Sequence, residues 1–246
     1  MAEAYVDLYW LPLGAGGHFV RLNGRVYEAV ASRLESRPAY DLYHSALEVR
    51  VLAGRFVIEQ APIRDGHGGS RGVVAEGPVG SRRAARFRLL RYEVRRWRDG
   101  AIPDVVEAVE SPRRLAEDAR LARRLLDLVP EVPTLVWGRD ELGAGEMWNS
   151  NSIIAWLLAC SGFDAASIDP PRGGRAPGWN AGLDVATRCS AGQEAADFRR
   201  DDELFPRGDR LHRELGEEGQ PLGDGIANVG PVFAHAAGEC EHVQAP

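Results

Sequence analysis

Cysteine is scarce in this chain. Cys160, Cys189 and Cys240 are the three present; they are odd in number and far apart, without paired metal-ligand spacing. A disulfide framework or zinc knuckle needs paired cysteines, so neither is expected, and reduced thiols in a cytoplasm fit best. Also missing is any apolar run of the length that crosses a bilayer, so no membrane span is predicted. The opening Met1-Ala2-Glu3-Ala4-Tyr5 does not have the basic-then-apolar order of a secretion signal, which again points to a cytoplasmic location. Positive charge is not in excess: 30 Lys and Arg stand against 36 Asp and Glu, a formal net charge of −6. Nothing in that balance attracts a nucleic acid or an anionic membrane. Neither Gly14-Ala15-Gly16-Gly17 nor the later glycine-rich loop completes a phosphate-cradling signature, and no cofactor is expected.

What is there belongs to an ordinary globular protein, 44% apolar and 27% charged. A chain of 246 residues can bury a substantial core. The composition changes past Leu183: large apolar residues thin out, and Gly, Asp, Glu and Arg accumulate without a period. Residues 1–187 therefore read as one domain, and 188–246 as a disordered or loosely packed tail.

Strand formers open the chain at Tyr5-Val6-Asp7-Leu8-Tyr9-Trp10-Leu11 and stop at Pro12. Asn23-Gly24 has the letters of a two-residue hairpin turn, yet Tyr27, Val30, Ala31 and Leu34 recur at helical spacing, which favours a helix from about 25 to 36. From Leu42 to Val51 the residues alternate, with Ser45, Leu47, Val49 and Val51 on one face and His44, Ala46 and Glu48 on the other. A turn at Ala53-Gly54 and the run Arg55 to Gln60 complete a hairpin. The glycine-rich stretch 63–81 reads as a loop. Arg86 to Trp97 reads as a third sheet strand with one charged face, either solvated or anion-binding. Ser111-Pro112 has the hydroxyl-then-proline order of a helix start, followed by an apolar stripe from Leu115 to Leu126. A second helix is predicted over 150–161, stopped by Gly162 and apolar on nearly every side, hence buried. The fold class that results is α+β, an antiparallel sheet packed against two or three helices.

The chemistry concentrates at that second helix. Asn149-Ser150-Asn151-Ser152 precedes the apolar run, and Glu146, Trp148 and Arg139 lie just upstream. Ser and Asn at a helix start accept hydrogen bonds from the orphan N–H groups of the first turn, which accounts for one or two of the four. Four in succession suggest more, since a helix start also stabilises a developing oxyanion through its free amides. His44, on the polar face of its strand, is either a satisfied half-buried side chain or a general base oriented by Glu48 or Glu59.

Other patterns carry less. Gly68-Gly69-Ser70-Arg71-Gly72 matches the letters of a hydrolase elbow, but no strand precedes it and no helix follows. His235, Cys240 and His242 are too thin a set to predict a metal. The turn-rich segment Pro170 to Asn180 either wraps the domain and docks Trp179 in the core, or places Arg172 and Arg175 at a pocket mouth.

A strand-borne His44, a following sheet and a later buried helix opened by Asn149-Ser150 together resemble the circularly permuted branch of the papain-like, NlpC-type superfamily, which includes lecithin retinol acyltransferase-like proteins. The resemblance covers roughly residues 40–165. It implies a papain-like core in permuted order, with His44 as base, Glu59 as the orienting polar residue and Ser150 at the position where that branch carries a nucleophilic cysteine. No cysteine stands there; Cys160 lies about three turns further into the helix. Two functions follow as expectations. One is a hydrolase or acyltransferase in which His44 activates Ser150 against an amide or ester. The other is an inactive binding domain in which Asn149, Asn151, Ser152, Arg139, Glu146 and Trp148 hold a small-molecule, peptide or lipid-like acyl ligand or lock loops together.

Overall fold

The computed structural model describes residues 4–13, 40–63 and 72–189. The helix expected at 25–36, residues 64–71 of the glycine-rich loop and all but the first two residues of the expected tail lie outside them. The strands in chain order are β1 (Tyr5–Pro12), β2 (Asp41–Val51), β3 (Gly54–Pro62), β4 (Val73–Pro78), β5 (Arg91–Arg98) and β6 (Val109–Ala116). They lie in the order β4-β5-β3-β2-β1-β6, each neighbouring pair antiparallel. A two-residue strand β7 (Gly174–Arg175) adds in parallel to the start of β2. Among the described residues three α-helices accompany the sheet: α1 (Ala119–Leu128), α2 (Ser150–Ser161) and α3 over residues 179–189. The architecture is thus α+β, and no helix among the described residues is long and apolar enough to cross a membrane.

The sheet buries both faces, because side chains of a strand alternate between them. Val6, Leu8 and Trp10 of β1 meet Tyr43, Leu47, Val49 and Val51 of β2 and Ile58 of β3 on the face that carries α1 and α2. The opposite face holds a smaller apolar cluster of Leu11, Ala46, Val57 and Ile102. Around that cluster stand ion pairs: Arg114 with Asp7 at 2.5 Å, Arg55 with Glu48 at 2.8 Å, and Arg95 with both Glu59, at 2.7 Å, and Glu93.

Four expectations are corrected. Ser111-Pro112 lies inside β6, where the Ser111 hydroxyl accepts from the Trp10 N–H and donates to the Val109 carbonyl. A hydroxyl used to join strands is not free to cap, and the cap of α1 falls seven residues later at Asp118, which accepts from the Arg120 and Leu121 N–H groups. The 63–81 stretch contains edge strand β4, which pairs with β5; a Cβ on its Gly77 would lie 2.3 Å from the Tyr92 ring, so the glycine reflects close packing, not a turn. The arginine-rich strand begins at Arg91, not Arg86, because residues 82–90 form two short 3-10 turns. Nor is its charged face all solvated: Arg95 is buried between Glu59 and Glu93.

α2 forms as its sequence dictates. Ten of its twelve residues are buried, and Gly162 ends it in the left-handed conformation at φ 98°. Cys160 lies half-buried in it, and desolvation pushes its thiol up to about 11, so it stays protonated as an inert small hydrophobe.

Candidate functional site

The start of α2 meets the start of β2 at one end of the sheet. Asn149 is the N-cap: its Oδ1 accepts from the Asn151 N–H at 2.9 Å, while the Asn149 N–H donates to Ser152 Oγ at 3.0 Å, which closes a capping box. The remaining polar atoms reach outward to other elements. Asn149 Nδ2 and Asn151 Nδ2 both donate to the Pro177 carbonyl, at 2.8 and 2.9 Å. Asn151 Nδ2 also donates to the Tyr43 carbonyl at 2.9 Å, its Oδ1 accepts from Ser45 Oγ at 2.8 Å, and Ser152 Oγ donates to the Gly178 carbonyl at 2.7 Å. Three of the four residues are therefore fully engaged in tying α2 to β2 and to the 177–178 turn.

Their neighbours do similar work. Glu146 accepts from the Gly178 and Asn180 N–H groups, at 2.8 and 3.2 Å, and so caps the start of α3 from a distant segment. Arg139 donates to the Gly80 carbonyl. Trp148 is buried, and its backbone pairs with Gly138 and Arg139. The 177–180 turn can sit so close only because residue 178 is glycine: it adopts φ +86°, and a Cβ there would be 2.6 Å from the Asn149 amide. Trp179 docks in the core, donating to the Ala165 carbonyl at 3.0 Å with its ring 5.2 Å from that of Trp10. Of the two readings of Pro170 to Asn180, the wrapping segment is the one found.

Ser150 is the exception. It is buried against the fold, yet its hydroxyl has no hydrogen-bond partner among the described residues, and it borders a cavity of about 430 Å³. The walls are chiefly apolar, from Leu13, Leu42, Val79, Leu89, Trp137 and Met147. Trp137 is fixed there by its N–H bond to the Pro78 carbonyl and by edge-on contact with Tyr92, whose hydroxyl holds the Leu135 carbonyl at 2.8 Å.

His44 borders the same cavity. Its side chain, however, leaves β2 on the face opposite to Ser45, the residue bonded to α2, and belongs with Ala46 and the second cluster. Burial pushes its imidazole down to about 4 against a smaller opposing pull from Asp104, so the ring is neutral at pH 7. It makes no hydrogen bond to Ser150, Glu48 or Glu59. Glu48 accepts from Tyr5 and Arg55, and Glu59 from Arg95. The structure thus brings His44 and Ser150 to one cavity without joining them in a relay, and it assigns Glu59 to an ion pair. Among the described residues no group of three or more His, Cys, Asp and Glu is placed to hold a metal ion.

Ser45 and Pro177 were not anticipated as parts of this centre. Ser45 had a signal: a serine on an otherwise apolar strand face needs a buried partner. The Pro177 carbonyl had none, since any residue supplies one.

The site defines an α+β domain whose buried helix opens, through a locked polar cap, onto an apolar cavity. No protein-family model, no curated protein and no solved structure matches the chain.

Proposed function

We propose that this protein is a binding domain that takes a small, largely apolar ligand into the cavity at the start of α2, with the Ser150 hydroxyl as its polar handle. The observation that carries the reading is the contrast within one helix start. Asn149, Asn151 and Ser152 spend their hydrogen bonds on the fold, while the Ser150 hydroxyl has no partner among the described residues and stands beside apolar walls. A pocket of some hundreds of Å³ with few polar groups is the usual form of a small-molecule site. Turnover would need more: a serine becomes a nucleophile only beside a base within about 3 Å that is itself oriented by a third group. The absence of a His44–Ser150 bond and the commitment of Glu59 to Arg95 favour binding over the hydrolase or acyltransferase reading.

Calorimetric titration with dodecanol, an uncharged single-chain probe, tests this. The wild-type chain should bind it in the micromolar range or tighter, and Ser150→Phe, which fills the cavity, should abolish binding while the far-ultraviolet spectrum is kept. Failure of the wild type to bind rejects the cavity as a site. Covalent labelling of the wild type by a fluorophosphonate, lost in Ser150→Ala, would establish the catalytic reading instead.

A further inference from the structure

We infer that the ligand is a single-chain anionic amphiphile, whose charged head is received by an arginine collar on residues 82–90 at the cavity mouth. The inference rests on the binding reading above and adds the ligand's class. The chain is acidic overall, yet residues 82–91 read Arg-Arg-Ala-Ala-Arg-Phe-Arg-Leu-Leu-Arg, without one carboxylate. Some of these arginines have tasks within the fold: Arg82 pairs with Glu141 at 2.7 Å, and Arg91 reaches Glu76 and the Ala85 carbonyl. Arg83, Arg86 and Arg88 are exposed and form no ion pair with any described residue. Arg86 instead lies over the Phe87 ring, 4.7 Å from its centre.

The same short turns present apolar surface. Phe87 is 54% exposed, Leu89 68% and Leu90 40%. Such residues scattered singly on a surface need no account, but three in four positions form a patch, and this one is not isolated. Leu89 is at once exposed and part of the cavity wall, so the patch is continuous with the cavity interior. An apolar passage from Met147 and Trp137 inside to Leu89 at the rim, with guanidinium groups one residue to either side of Phe87, is complementary to an alkyl chain ending in a carboxylate, sulfate or phosphate. Guanidinium groups bind such oxyanions by charge-assisted paired hydrogen bonds, while the chain is held by burial alone. Among the described residues of the wall there is no Asp, Glu, Lys or Arg, which matches an anionic head held outside and an alkyl tail inside.

The test compares dodecanoate with dodecanol, both as monomers, on the full chain and on Arg83→Gln/Arg86→Gln/Arg88→Gln. Dodecanoate should bind the wild type about tenfold or more tightly than dodecanol, and the triple variant should lose that advantage while its dodecanol affinity is unchanged. The collar substitutions lie on exposed turns, so folding is checked by an unaltered melting temperature. Equal affinity of the wild type for both probes overturns the head-group assignment and leaves the cavity reading standing. Loss of binding for both probes in the wild type removes the cavity reading too. A third arm sediments the protein with phosphatidylcholine vesicles containing about 30 mol % phosphatidylserine. Vesicle binding without binding of monomeric dodecanoate would make the collar a bilayer-docking surface and overturn the single-chain ligand.

Discussion

His44 illustrates how little a residue's type alone fixes its role. An imidazole on a strand suggests a base, but its place on the second face of the sheet makes it a half-buried group whose pKa is lowered by desolvation to about 4. That depression has a consequence for stability. The unfolded chain binds a proton near pH 6.5 and the folded chain only near 4, so between those values the unfolded state holds more protons and stability falls with falling pH. The contribution is intact above about pH 6.5 and is lost progressively as pH drops towards 4. The size is about 2 kcal/mol between pH 7.5 and pH 5. Urea melts of the wild type and His44→Gln at those two pH values should therefore converge, the variant losing less stability by that amount. Parallel losses in the two proteins would show that the ring titrates normally in the fold. Asn151 is the opposite kind of residue, polar and wholly committed. Replacing it with Asp would set a carboxylate against the Tyr43 and Pro177 carbonyls it now donates to, and should lower stability by about 3 kcal/mol or more, measured by the same melts.

Among the elements, α2 was the most legible, α1 was expected with too early a start, and β4 and α3 were not expected at all. An all-round apolar run bounded by a polar cap and a glycine leaves few alternatives, and α2 starts and stops where that pattern does. The start of α1 misled because Ser111 offers the same hydroxyl to a strand as to a helix, and only the position of Trp10, far away in sequence, decides which takes it. The strand β4 was hidden for a related reason. Glycine in sequence signals freedom, whereas Gly77 stands where the Tyr92 ring leaves no room for a side chain. The candidate site was legible as a cluster of residues and not as a set of roles, because a short polar side chain caps, crosslinks or binds according to what the fold brings opposite it. The packing of α3 on α2 makes the same point and can be tested directly. Gly182 lies so near α2 that a Cβ would stand 2.2 Å from the Ser152 carbonyl oxygen, a backbone atom that cannot step aside. Gly182→Ala should force the helices apart and cost about 1 to 3 kcal/mol despite the better helix propensity of alanine. A melting temperature equal to or above that of the wild type would mean that the two helices do not meet as described.

Across the whole molecule the sheet separates two chemistries. One face carries the helices, the main apolar core and the locked cap of α2; the other carries a small apolar cluster and buried ion pairs. Glu59 belongs to the second, and this decides what its replacement should do. Arg95 is buried between Glu59 and Glu93, so Arg95→Ala would leave two carboxylates together without a counter-charge. The cost of stranding buried charge is about 3 to 5 kcal/mol, enough to consume much of the stability of an ordinary domain. Pairing Arg95→Met with Glu59→Leu leaves Glu93 as the single carboxylate beside an apolar pair and should recover part of the loss. Dodecanol affinity should be the same in the double variant as in the wild type, because neither Glu59 nor Arg95 lines the cavity. If the double variant folds with its melting temperature largely restored but no longer binds the probe, Glu59 acts on the cavity after all, and the division of labour between the two faces fails.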